Sequence, residues 1–324
     1  MSNTFIIICE SGAETMDEDE LALMRDVCID FHLEGKSKVE IAKERDLSRF
    51  QVARLLSTAR ERGIVRISIA LPEESDSDLG ARVSADLGVR VIISPSHSDP
   101  SQRRDLLART VADTIRDRVR DGMTVGMSWS RTIERATMHL DHLEPCEIVQ
   151  LVGAMPVADS GDSVEMIQRL KSLRGVRTWP IWAPLVVRDA ATAAGLREQP
   201  QIAEALTRAD ALNLAVVAIG GWSRQASTVY PNITQADREE AEAIGAVGEC
   251  SGRLFDAAGH DVHTALDERV VAVRLDQLRR TPEVVACGFG AGVAPAVRAA
   301  ALGNIASTFV LDAECARALM EQQD

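Results

Sequence analysis

At 324 residues the chain is long for one core and comfortable for two domains, and 46% hydrophobic with 26% charged residues is an ordinary soluble, globular balance. No apolar run approaches the roughly 18 residues of a membrane-crossing helix, and six cysteines without a CxxC pair argue against a disulfide framework or zinc site and for reduced thiols in the cytoplasm. The formal net charge of −13 is uneven: Glu34 to Ala70 holds nine basic and five acidic side chains, a net +4, so one module is expected to meet a polyanion.

Residues 1–16 are expected to be a disordered extension, and Met16 is a candidate start; Phe5 to Cys9 is apolar but too short for a signal core. Leu21, Met24, Val27, Cys28 and Phe31 recur at helical spacing and predict a helix over 19–33, ended by Gly35. A second short helix follows over 38–45. Asp46-Leu47 turns the chain, and Ser48 stands where an N-cap is wanted for a third helix running to about residue 62. This is a helix-turn-helix pattern, a DNA-binding domain over 17–71 with double-stranded operator DNA as partner.

In the third helix Val52, Leu55, Leu56 and Ala59 share the core face. Phe50, Arg54 and Ser57 lie nearly opposite, with Arg49 and Gln51 on the flanks. Arginine reads guanine, glutamine reads adenine and an aromatic touches the thymine methyl, so the outward set suits a major groove. For Phe50 the alternative is packing on a neighbouring helix or a partner chain. Lys38, Lys43 and Ser48 join the expected contacts, as does Arg66, on a strand or wing over 65–71 with a phosphate within reach.

The polar run 72–78 reads as a linker. Beyond it, strands are predicted over 89–94, 124–127, 148–152, 185–187, 211–219, 270–274, 284–287 and 308–311. Helices are predicted over 101–120, 132–140, 202–209, 235–244 and 294–302. The alternation predicts a parallel sheet wrapped by helices, with ligands at the C-terminal strand edges, in a domain over 79–324. At one such edge Ser128-Trp129-Ser130-Arg131 leads into a helix from Thr132, a hydroxyl-rich loop suited to an anion or a sugar; plain capping by Ser130 is the alternative. Gly288, Gly290 and Gly292 form a second edge, whose spacing does not support NAD binding. Gly220-Gly221 ends a third strand, lining the same pocket or only turning the chain. The histidine pairs 139/142 and 260/263 lack a third ligand fixed by spacing, so no metal is expected.

Several segments together resemble one family. "LSRFQVARLLSTARERGIVRISI", "VGMSWSRTI", "IVQLVGAM", "AVGECSGRLFDAAG" and "EVVACGFGAGVAPAVRAAALGNIASTFVLDAECARALM" look like the SorC-type sugar-binding transcriptional regulators of bacteria, in order, from about Asp19 to the C-terminus. The resemblance implies a winged-helix-like or homeodomain-like head and a Rossmann-like effector domain related to phosphosugar isomerases. It implies a homodimer or homotetramer whose operator binding a sugar, sugar phosphate or polyol alters, with no other cofactor. By position it implies effector contacts from Ser128, Trp129, Ser130, Arg131, Thr132, Gln150 and Asp256, with the glycine loop closing the pocket. Val293 stands where many relatives carry a lysine, which weakens the case for a phosphorylated effector. No catalytic residue is assigned. The alternative function is a sugar-phosphate isomerase with Asp256 or Glu249 as base, which leaves the basic head unexplained.

Overall fold

In the computed structural model, which describes residues 18–61, 64–65, 76–155 and 163–321, three helices follow the N-terminal pattern: α1 (Glu18–His32), α2 (Lys38–Glu44) and α3 (Arg49–Glu61). The starts of α2 and α3 have a local cause. Ser37 and Glu40 form a reciprocal capping box for α2. Ser48 does the same with Gln51 for α3, at 3.2 Å from the Gln51 N–H and 2.7 Å back to its side-chain oxygen. Asp46 adopts a left-handed φ of 53°, and the Leu47 N–H closes on the Ala42 carbonyl at 2.8 Å, which makes the turn between them. Met24, Val27, Cys28, Ile41, Val52, Leu55, Leu56 and Ala59 then pack into one small core with Ile64 and Val65. Ile64 and Val65 form a bend, not a strand. The rest of the expected wing, Arg66 included, lies outside the described residues, as does the 1–16 extension.

The chain divides into two compact units, Met1–Leu71 and Pro72–Asp324. Of the expected linker 72–78, residues 72–75 lie outside the described residues and Asp76 opens a helix, α4 (Asp76–Leu87). Among the described residues the second unit has ten strands: β1 (Arg90–Ile93), β2 (Thr124–Met127), β3 (Cys146–Gln150), β4 (Val176–Trp179), β5 (Leu214–Gly221), β6 (Gly248–Cys250), β7 (Arg253–Phe255), β8 (Asp261–Val262), β9 (Glu283–Gly288) and β10 (Thr308–Leu311). Seven lie parallel in the order β1-β10-β9-β5-β2-β3-β4, while β6, β7 and β8 extend β5 as an antiparallel ribbon.

Alternate residues of β5 feed opposite cores, Leu214 and Val216 one and Ala215 and Val217 the other, as a sheet covered on both faces requires. The first face is covered by α5 (Pro100–Arg118), α6 (Arg131–Thr137) and α7 (Ser163–Lys171). After α7 in sequence come α8 (Ala190–Arg197), α9 (Pro200–Arg208), α10 (Gln235–Ile244), α11 (Ala265–Arg269) and α12 (Leu275–Arg280). The second face carries α4, α13 (Ala294–Leu302) and α14 (Ala313–Glu321). The fold is a doubly wound α/β sheet. The order in which strands are added reverses between β2 and β5: β3 and β4 lie on one side, β9 and β10 on the other. A crevice opens at such a switch point, outside the carboxyl ends of the strands.

Two expected strands are not regular. Residues 185–187 and 270–274 make only isolated bridges, Val186 to Val270 and Val152 to Ala272, where the chain crosses beyond the end of β3. The strand expected over 211–219 begins at Leu214; Ala209–Ala211 form a single 3-10 turn, and the Asn213 side chain accepts the Thr124 N–H at 2.8 Å before β5 begins.

Candidate functional site: a cavity at the switch point and an exposed helix face

In the first unit the basic side chains sort into two groups. Asp30, 3% exposed, holds Arg45 Nε at 2.6 Å and Lys36 Nζ at 3.1 Å, so these two cations serve the fold. Lys43, Arg49 and Arg54 are exposed and make no ion pair among the described residues. Lys38 lies over the Phe31 ring at 5.7 Å. Phe50 is 88% exposed, the most open large apolar side chain among the described residues of its unit, on the same helix as Arg49, Arg54 and the exposed Ser57. Gln51 and Ser48 are exposed too, but their side chains are engaged in the capping box, which leaves the Gln51 amide nitrogen free to donate outward.

In the second unit a cavity of about 470 Å³ lies at the carboxyl ends of β2, β5 and β9. The loop after β2 supplies Ser128, Trp129, Ser130, Arg131 and Thr132, all of them on its wall. Ser130 caps α6 through the Ile133 N–H at 3.1 Å, and Ser128 accepts the Ser251 hydroxyl at 3.2 Å. Trp129 is 7% exposed, with most of its indole packed in the core. Gly220 and Gly290 line the wall as well. The two glycine turns meet: a Cβ on Gly221 would stand 2.6 Å from the Gly292 carbonyl oxygen, so glycine is required for the close approach.

Three expected contacts do not reach the wall. Gln150 is buried below it, donating to the Val152 carbonyl at 2.6 Å and accepting from the Ile181 N–H at 3.1 Å, so its amide orders the chain after β3. Asp256 belongs to the β7–β8 hairpin, where it accepts the Ala258 and His260 N–H groups at 2.9 Å each. Gly288 is the last residue of β9, packed against Leu311 and Val297.

Sequence reasoning missed Arg103, Arg104, Phe289 and Ser251 as wall residues, and it considered Glu249 only as a possible base. Arg104 donates to Thr132 Oγ1 at 3.1 Å and stacks on Phe289 with its guanidinium carbon 3.6 Å from the ring centre. One signal was available: Arg103 and Arg104 stand fourth and fifth in α5, whose first turn carries no acid inside its Asp99 cap. Glu249 is buried, with Ser227 Oγ at 3.3 Å and the Gly252 N–H at 3.1 Å; burial pushes its carboxyl up to about 7 against those two donors. The Cys287 thiol on the same wall is pushed up to about 12 by burial, so it is neutral. A small ligand would meet hydroxyls, guanidinium groups, one indole and the carboxyls of Glu249 and Glu314 here. Among the described residues no cluster of three or more metal-ligating side chains occurs, and no helix is long and apolar enough to cross a membrane.

Residues 72–321 match the family model described as "Putative sugar-binding domain". The chain is 26% identical over 312 residues to the deoxyribonucleoside regulator of Bacillus subtilis, covering 94% of this chain and 99% of that protein. It is 25% identical over 300 residues to the uncharacterized transcriptional regulator YjhU of Escherichia coli K12, covering 90% and 92%. The full-length sorbitol operon regulator SorC of Klebsiella pneumoniae has the same fold, with a TM-score of 0.79 at 17% identity over 94% of this chain and 100% of that one.

Proposed function

The chain belongs to the sugar-binding-domain family of SorC-type transcriptional regulators, and on that premise we propose that it binds operator DNA through residues 17–71 and a polyhydroxylated effector through residues 79–324. The observation that carries the effector half is the switch-point cavity, whose wall offers hydroxyls and charged groups to one small molecule. Exposed Phe50 and Arg54 on α3 support the DNA half, with Lys43 and Arg49 for the phosphates. One short helix reads few base pairs, so the regulator acts in the cytoplasm as a homodimer or homotetramer on paired half-sites. Effector binding stabilises one arrangement of the protomers and thereby shifts operator affinity.

The proposal includes no turnover. Glu249 has the raised carboxyl of a general base, but its two hydrogen bonds to Ser227 and Gly252 suit a residue that receives a hydroxyl group. Duplexes selected from a random pool by the full-length chain should contain two half-sites. Their affinity should change on adding one of a panel of sugars, polyols and sugar phosphates. Failure to enrich any sequence would sink the DNA half, and an affinity indifferent to the whole panel would sink the effector half.

A further inference from the structure

Phe50 is the second residue of α3 and takes no part in the core of its unit, which Val52, Leu55, Leu56 and Ala59 complete from the opposite face of the helix. Arg49 precedes it and Arg54 follows one turn later, both exposed and without an ion pair among the described residues. A second copy docked symmetrically on this face would press these arginines against their own copies. A polyanion is the complementary occupant. In the major groove of DNA an aromatic ring has one apolar target, the C5-methyl group of thymine.

Gln51 points the same way. The Ser48 N–H can only donate, so the oxygen of the Gln51 amide faces the cap, at 2.7 Å. A two-pronged grip on adenine needs that oxygen and the amide nitrogen to face one base edge together. The capping box prevents this by turning the oxygen toward Ser48. An A·T pair is then distinguished through its thymine edge, where Phe50 is available.

We propose that Phe50 is a specificity-determining residue that reads a pyrimidine C5-methyl group, so that each half-site contains a thymine whose methyl packs on this ring. This inference rests on the operator-binding reading of α3. 5-Methylcytosine presents the same methyl at the same ring position. C5 methylation of a cytosine at that position therefore also tightens binding, which makes the grip on DNA sensitive to base modification.

The test uses the full-length chain as wild type, Phe50→Ala, Phe50→Leu and Arg54→Ala, on the duplexes it selects from a random pool. Each thymine of the half-site is replaced in turn by deoxyuridine, in both half-sites together. This removes the methyl and keeps every hydrogen-bonding group of the base. Affinity is read by fluorescence anisotropy at one fixed salt concentration. At one position the replacement should weaken wild-type binding about fourfold per half-site, the effect of one methyl-sized group returned to water. Phe50→Ala should bind less tightly and be indifferent to deoxyuridine there, since ring and methyl are coupled. Phe50→Leu should retain part of the deoxyuridine effect and Arg54→Ala all of it. With cytosine at that position, C5 methylation should tighten wild-type binding about fourfold per half-site and leave Phe50→Ala unchanged. The 88% exposure of Phe50 makes its replacement compatible with folding, and each deoxyuridine effect is measured within one variant, so an altered overall stability does not mimic the result. Three results overturn the inference and leave operator binding standing: a selected half-site without thymine, a wild type indifferent to every deoxyuridine, or a deoxyuridine effect that persists in Phe50→Ala. Failure to select any duplex overturns both.

Discussion

The Asp312 carboxylate accepts the backbone N–H of Gly290 at 2.7 Å and so joins the end of β10 to the loop after β9. The same fully buried carboxylate takes Arg103 Nε at 2.8 Å and the Cys315 N–H at 3.2 Å. Gly290 sits at φ 84°, a conformation that favours glycine, and a charge-assisted bond holds it there. Asp312→Ala leaves Arg103 without its buried partner and is expected to cost about 3 kcal/mol in urea denaturation. Asp312→Asn keeps an acceptor and should cost less. Equal losses for both variants would show that charge, not the acceptor, holds the loop.

Glu249 makes stability depend on pH. Its carboxyl is raised from the ordinary 4.5 to about 7, so the folded chain binds this proton more tightly than the unfolded chain. The contribution is therefore full below about pH 4.5 and is lost as pH rises through about 7. Its size is up to roughly 3 kcal/mol. Glu249→Gln should flatten the pH dependence of the urea midpoint and raise stability above pH 7. An unchanged profile would mean that Glu249 ionises normally in the fold.

Asp30 acts in the opposite sense. The Arg45 guanidinium, and then Lys36, hold its carboxyl below the ordinary range despite burial. Its contribution is present above the unfolded carboxylate value and lost as pH falls through the lower folded one. Asp30→Asn is expected to cost about 1–3 kcal/mol, seen as a lower melting temperature of the three-helix unit.

On DNA, Arg54→Ala should cost about 1–3 kcal/mol and relax the preference at one base position. Lys43→Ala should weaken all sequences alike and reduce the salt dependence. An Arg54→Ala variant with unaltered operator affinity would mean that α3 presents another face to DNA.

Much of this fold is legible in the sequence because its punctuation is strong. The helix expected over 235–244 is found with those bounds, and the structure shows Thr234 capping its start and Gly245, at φ 91°, ending it. The core face of α3 follows from periodicity alone, and all four expected residues are buried. By contrast β4 is a four-residue edge strand with Arg177 among its residues and no clean alternation. β6, β7 and β8 are two or three residues each, too short for a pattern. Among site residues, the loop after β2 is legible because hydroxyls follow a buried strand directly. Arg104 is not, because what places it is contact with Thr132, 28 residues away, and with Phe289 on a different strand end. Asp256 is expected at the site only through the family resemblance, and its oxygen closes a hairpin away from the cavity wall.

The central claim is that occupation of the switch-point cavity changes the grip on DNA. Its most direct test is operator affinity by fluorescence anisotropy, with and without the strongest cavity ligand, for wild type and Thr228→Trp. Thr228 lies half-buried on the cavity wall. An indole there should fill the space and leave the α3 surface untouched. The account predicts that the ligand shifts wild-type affinity about tenfold, and that Thr228→Trp binds the operator but no longer responds. A wild type indifferent to a ligand bound in the cavity, or a variant that responds fully, would contradict it.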